Sequence, residues 1–260
     1  MFPRMHTEPV PAPAETTVER IALLFALEAE AAPVVERLML AEQPAVDPQL
    51  RQRHFAGTVG TLHVDVLTNG TDPRNGADRV GTDAATMAAY MAIRKLAPDL
   101  LLNVGTCGGF AARGARVGDI YVSAAPLLFH DRRIPLDPFR PQAEGRWPCT
   151  PAPRLMAAIG GKPGIVSTGN SLDWTPAEMD FMTRERVTAK DMEATAIAQV
   201  CAQCEVPFIA VKGVTDLVDD PEPVQEAFLR NLRMVSALLG ERTEAGVRWL
   251  AAHARRVAEL

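Results

Sequence analysis

The chain has 260 residues, 47 % of them apolar and 23 % charged, with 27 basic against 32 acidic side chains and a net charge of −5. These proportions match ordinary globular proteins and exclude wholesale disorder and collagen-like or mucin-like chains. The acidic balance lacks the basic footprint that a nucleic-acid backbone needs, and no uncharged apolar run reaches the roughly 18 residues of a membrane span, so neither partner is expected. Aromatics make up only 5 %, which favours helices packed on a sheet over an aromatic-rich β-sandwich.

Residues 1–18 are rich in Pro, Glu and Thr and contain no apolar stretch of the secretory kind. They read as a disordered tail ahead of one domain spanning 19–260. Ile21–Leu27 is a short apolar run, the pattern of a strand buried on both faces. Glu28–Leu38 follows as a helix with acidic residues in its first turn, where the helix dipole favours them. Arg53–Val59 and Leu62–Leu67 form a hairpin turning at Gly60. Asn69–Gly76 is a loop, Ala84–Leu96 a helix ended before Pro98, and Leu100–Val104 a second buried strand. Gly118–Ser123 reads as a strand, the Pro-rich Leu136–Pro153 as a loop, and Gly164–Thr168 as a short strand. Asp191–Cys204 reads as a helix, Pro207–Val211 as a strand, and Val224–Val257 as a long terminal helical region. Strands alternating with helices predict an α/β fold, a three-layer sandwich with a mixed, mostly parallel central sheet.

The four cysteines, Cys107, Cys149, Cys201 and Cys204, are too few for a disulfide scaffold in a chain of this length, and a cytoplasmic location is expected. Cys201 and Cys204 fall inside a helical run beside Val200 and Val206. They read as packing residues, and with the His scattered no metal site or cofactor is expected.

In such sheets ligands bind at the carboxyl ends of the strands. Glu28-Ala29-Glu30 follows the first strand, Gly105-Thr-Cys-Gly-Gly109 the second, Gly169-Asn-Ser-Leu-Asp173 another, and Thr215-Asp216 the last. Taken singly, each has an ordinary structural explanation. Glu30 suits a helix dipole, the Gly-rich segment suits a tight turn and is neither GxGxxG nor a P-loop, and Thr215-Asp216 suits a cap.

Together and in this order, these pieces resemble the nucleoside phosphorylase family, and within it the methylthioadenosine/S-adenosylhomocysteine nucleosidases. The resemblance runs from about Ile21 to Leu239. It is carried by Ile21-Ala-Leu-Leu-Phe-Ala-Leu-Glu-Ala-Glu30, Asn103-Val-Gly-Thr-Cys-Gly-Gly-Phe110, Val117-Gly-Asp-Ile120 and Ser167-Thr-Gly-Asn-Ser-Leu-Asp173, and by Lys190-Asp-Met-Glu-Ala194. Phe129-His-Asp-Arg-Arg133 and Thr215-Asp-Leu-Val-Asp219 look closest to the plant-type methylthioadenosine nucleosidases.

The resemblance implies a nucleoside phosphorylase-like fold and hydrolysis of the N-glycosidic bond of 5′-methylthioadenosine in methionine salvage, with S-adenosylhomocysteine and 5′-deoxyadenosine as further candidates. The chemistry asks for an acid to protonate the departing adenine and a carboxylate to activate water at an oxocarbenium-like sugar. The resemblance assigns these roles to Asp216 and Glu30. It also implies that Glu193 accepts from the ribose hydroxyls, that Met192 lies against the ribose, and that Thr106 and Gly108 flank sugar and base. Thr215 supports Asp216, and Leu172 packs on adenine, whose edge the backbone of 170–173 reads. An apolar strand end would raise the pKa of Asp216, as an acid requires. Family members pair as homodimers, which places 130–133 near the neighbour's site. Asn170 departs from the usual Asp, Lys212 from the Arg of many bacterial members, and Leu27 from a Met. The 5′ pocket is expected partly in Asp220–Phe228. Alternatives are a purine nucleoside phosphorylase using phosphate, a futalosine-type hydrolase, and a nucleoside-binding sensor without catalysis.

Overall fold

The computed structural model describes residues 16–254 and 256–260. In chain order the elements are β1 (Arg20–Phe25), α1 (Glu28–Leu38), β2 (Ala41–Gln43), β3 (His54–Val59), β4 (Leu62–Thr68), α2 (Thr82–Leu96), β5 (Leu100–Gly109), β6 (Ile120–Ser123) and β7 (Leu127–Phe129). They continue with α3 (Arg140–Glu144), β8 (Gly145–Trp147), α4 (Pro153–Ala158), β9 (Lys162–Gly164), β10 (Val166–Thr168), α5 (Pro176–Arg184), β11 (Ala189–Asp191), α6 (Ala194–Gln203), β12 (Phe208–Leu217) and α7 (Val224–His253).

The middle of the sheet is parallel: β4 pairs with β1, β1 with β5, and β5 with β12. Antiparallel strands border it, β3 on β4 and β6 on β12. The period-2 alternation of β1 explains the three layers. Ile21, Leu23 and Phe25 join a core with Val34 and Leu38 of α1 and Val235, Leu239 and Leu250 of α7. Ala22 and Leu24 point the other way, into a core with Ala85, Ala89 and Ala92 of α2 and Ala194, Ile197 and Cys201 of α6. Each face of the strand thus buries its own helical layer. Cys201 lies in this second core.

At β5 the sheet divides. One edge of β5 follows β12 along almost its full length, from Leu101 to Gly109. The other edge pairs with β1 only as far as Asn103, then with β11 at Gly108 and Gly109. Between these two partners β5 has an open edge, and the site forms there.

The structure departs from the sequence expectation at several elements. β5 and β12 run on to Gly109 and Leu217, because the Gly-rich segment pairs with β12 instead of turning. Lys190 and Asp191 belong to β11, so the following helix starts at Ala194. The Pro-rich 136–153 segment contains α3 and β8. The expected tail boundary is corrected at its inner end: Thr17 bridges Arg256, the Val257 N–H donates to the Thr16 carbonyl at 2.9 Å, and Val18 is buried in the core. Val18 is apolar and has a place between β-sheet and C-terminus, so order begins before residue 19. Residues 1–15 of that tail lie outside the described residues.

Candidate active site

Glu30 sits at the third position of α1, buried at the open edge of β5. Its Oε1 accepts the Thr106 N–H and the Thr106 hydroxyl, both at 2.7 Å, and its Oε2 accepts the Leu27 N–H at 3.2 Å. The backbone donor that the missing strand would have paired is therefore given to a side chain. A carboxylate offers about four lone-pair sites, so three donors leave it room for one more. Gly105 permits this approach, since a Cβ there would lie 3.2 Å from Glu30 Oε2.

Asp216 lies at a β-bulge. The register of β12 on β5 slips between Val214 and Asp216, leaving Thr215 extra. A bulge re-aims the side chains around it. The Thr215 hydroxyl stands 2.7 Å from Asp216 Oδ1 and 3.2 Å from the Cys107 carbonyl, and Asn231 of α7 donates to the Thr215 carbonyl at 2.8 Å. Asp216 leans over Gly108, where a Cβ would meet its Oδ2 at 2.8 Å and Val218 Cγ2 at 2.6 Å. Burial raises the pKa of Asp216, against the opposing pull of the Thr215 hydroxyl and of Lys190.

Glu193 stands between β11 and α6, and its Oε1 accepts the Gly81 N–H at 2.9 Å. Burial pushes its pKa up to about 7, with the Lys212 ammonium opposing and Asp191 adding to the rise. Beneath it, Lys212 Nζ lies 2.7 Å from Asp191 Oδ2, with both side chains essentially inaccessible to solvent. Asp191 also accepts the Thr168 hydroxyl at 2.5 Å and the Ala194 N–H at 2.8 Å, which caps α6. Burial alone would lower the Lys212 pKa, but Asp191 and Glu193 together raise it. Lys212 thus serves Asp191 as a point charge.

Asn170 ties three segments together. Its Oδ1 accepts the Thr82 N–H and hydroxyl at 2.9 Å, while its N–H and Nδ2 donate to Asp131 Oδ2 at 2.8 and 2.9 Å. An Asp at this position would set a second carboxylate against Asp131, and the amide avoids that. His130 packs under the same loop, its Nδ1 3.0 Å from Ser167 Oγ. Burial and the nearby Lys190 push its pKa down to about 4, so it is neutral near pH 7.

One cavity of about 260 Å³ is lined by all eight residues singled out from sequence: Glu30, Thr106, Gly108, Leu172, Met192, Glu193, Thr215 and Asp216. Leu172 forms a half-open lip, 41 % exposed. Sequence reasoning did not pick out Val80, Cys107, Lys190 or Asp191 as lining residues, and it left Phe228 at the end of an unaligned segment. Val80 precedes the Gly81-Thr82 start of α2, a helix-opening signal that could have marked it. Phe228 sits in the first turns of a long helix and carries no such mark. Among the described residues no group of His, Cys, Asp and Glu is placed to hold a metal.

A sequence model of the phosphorylase superfamily matches residues 20–245. The chain is 37 % identical over 226 residues to a 5′-methylthioadenosine/S-adenosylhomocysteine nucleosidase of Arabidopsis thaliana, covering 86 % of this chain and 89 % of that relative. The apo structure of the Arabidopsis thaliana 5′-methylthioadenosine nucleosidase superposes with a TM-score of 0.90 at 33 % identity, covering 94 % of this chain and all of the other. Futalosine hydrolase of Helicobacter pylori shares the fold, with a TM-score of 0.70 at 19 % identity over 88 % of this chain and 97 % of its own. The chain belongs to the phosphorylase superfamily and, within it, to the family of 5′-methylthioadenosine/S-adenosylhomocysteine nucleosidases.

Proposed function

We propose that this protein hydrolyses the N-glycosidic bond of 5′-methylthioadenosine, releasing adenine and the 5-methylthio sugar, as a step of methionine salvage. The observation that carries this reading is the sharing of one small cavity by Asp216, whose pKa burial raises, and Glu30, which is held by three donors. Protonated Asp216 gives its proton to N7 of the purine, so adenine leaves as a neutral base. Positive charge grows on the sugar as the bond breaks. Glu30 uses its remaining acceptor site to orient a water and takes the proton as the water attacks. Glu193 accepts from the ribose hydroxyls, and Met192 packs against the ring. Thr106 holds Glu30, and Thr215 holds Asp216. Leu172 covers the purine, and the apolar Leu27, Val80 and Phe228 suit a methylthio group. S-Adenosylhomocysteine and 5′-deoxyadenosine carry the same adenine and ribose, so the same machinery extends to them.

Phosphorolysis fits less well. Among the described residues lining the cavity, Lys190 is the one cation. Arg74 is engaged by Asp72 in a surface loop, and Arg79 faces Met87. The donors at Thr106 that could bind an anion are already given to Glu30. The test is adenine release from methylthioadenosine with and without phosphate. Equal rates and a free reducing sugar are expected. Strict phosphate dependence with a sugar phosphate as product would establish a phosphorylase, and binding without release would establish a sensor.

The same reading includes a homodimer and a cytoplasmic location. Val80, Met87 and Tyr90 leave apolar surface exposed at and along α2, as do Ile134, Leu136 and Phe139 beyond the 130–133 segment, and Val80 reaches the cavity rim. The cysteines are free thiols, as suits a reducing compartment. Among the described residues no helix is long and apolar enough to cross a membrane.

A further inference from the structure

Three strands bring a lysine and the proposed acid to opposite sides of a glycine. Lys190 of β11 pairs with Gly108 of β5 on one edge, and Asp216 of β12 pairs with the same Gly108 on the other. Gly108 has no side chain to separate them, and Asp216 leans over its Cα. Lys190 is 5 % exposed and lines the cavity. Its Nζ donates to the Ser171 carbonyl at 2.7 Å and the Leu172 carbonyl at 2.9 Å. An ammonium has three N–H donors. Two are spent on the loop, and the third has no acceptor among the described residues.

We propose that Lys190 is a positioning residue that fastens the purine-facing loop 169–173 to the acid half of the site and acts on Asp216 across Gly108. The proposal rests on the reading of Asp216 as the proton donor to the purine. Two backbone carbonyls pinned by one buried ammonium fix the height of Leu172 over the base. The same positive charge favours the ionised form of Asp216 and so opposes burial. It keeps the acid from becoming too weak to yield its proton. Burial lowers the pKa of Lys190 itself, and Asp216, Asp191, Asp173 and Glu178 counter this. Cys107 on β5 lies within electrostatic reach of Asp216, and Glu30 on α1, Asp191 on β11 and Glu193 share its cavity. None of these holds the loop carbonyls.

The experiment compares Lys190→Met, Lys190→Gln and Lys190→Arg with the wild type, reading KM, kcat and the pH profile of adenine release. Loss of the charge moves the alkaline limb, where Asp216 loses its proton, up by about one pH unit, since a nearby opposite charge shifts a carboxyl by about 1–3 units. Lys190→Met also raises KM about tenfold by freeing the loop. Lys190→Gln keeps donors but no charge, so its limb moves while its KM changes less. Lys190→Arg restores the limb. Thermal unfolding checks that each variant folds, and the Gln and Arg variants carry the test if the Met variant does not. A 13C titration of the Asp216 carboxyl, assigned by its disappearance in Asp216→Asn, reads the coupling without turnover. A carboxyl titration unmoved in folded Lys190→Gln overturns the proposal. A carboxyl that moves while the activity limb stays put upholds the coupling and removes Asp216 from the acid role instead.

Discussion

Thr215 carries one hydroxyl proton and faces two acceptors, the Asp216 carboxyl at 2.7 Å and the Cys107 carbonyl at 3.2 Å. Given to an ionised Asp216, that proton holds the pKa down against burial. Thr215→Val removes it, so Asp216 keeps its proton to higher pH. The alkaline limb of the kcat/KM profile is expected to move upward, as a pH series of adenine release will show. Asp216→Asn removes the proton donor altogether and is expected to lower kcat by roughly 10²–10⁴-fold, the usual contribution of a general acid. Glu193 supplies a different test. Its pKa rises from 4.5 to about 7 on folding, so its burial favours folding least where it must ionise. The penalty is absent below pH 4.5 and complete above about pH 7, where a shift of this size corresponds to roughly 3 kcal/mol. Glu193→Gln keeps an acceptor for Gly81 and carries no charge. Its melting temperature is expected to exceed that of the wild type at pH 8 and to approach it near pH 5, although its activity falls.

At the scale of elements, β12 carries both the proposed acid and Lys212. Lys212→Met leaves Asp191 buried without its cation. Breaking such a pair typically costs about 3–5 kcal/mol, and a urea melt should show a loss in that range. Glu30 and Asp216 were legible in the sequence because each follows an apolar run at a strand end, whereas Glu193, in a stretch read as helix, was legible only through the resemblance of its Lys190-Asp-Met-Glu-Ala194 motif. The lengths of β5 and β12 were not. Three of the five residues of Gly105–Gly109 are glycine, which reads as a turn, and only the pairing with β12 reveals the strand. α5 escaped notice although Thr175-Pro176-Ala177-Glu178 is a capping box with Pro at the first helical position. Lys190 was visible only as part of a motif, because its role depends on Gly108 and Leu172, distant in sequence and close only in the folded sheet.

At the scale of the molecule, the exposed apolar residues of α2 and of 134–139 make association testable. Sedimentation is expected to give a particle of two chains, and Tyr90→Asp with Phe139→Asp is expected to shift it toward one. The open edge of β5 has one more consequence. The Thr106 amide is held by a carboxylate instead of a neighbouring strand, so its exchange with deuterium follows the state of Glu30 and not the unzipping of the sheet. In Glu30→Ala that single amide should exchange faster while those of Leu101 and Leu102, locked between β1 and β12, keep their protection. The backbone at this one position then works as a built-in reporter, and its isotope uptake reads the readiness of the site without any substrate present.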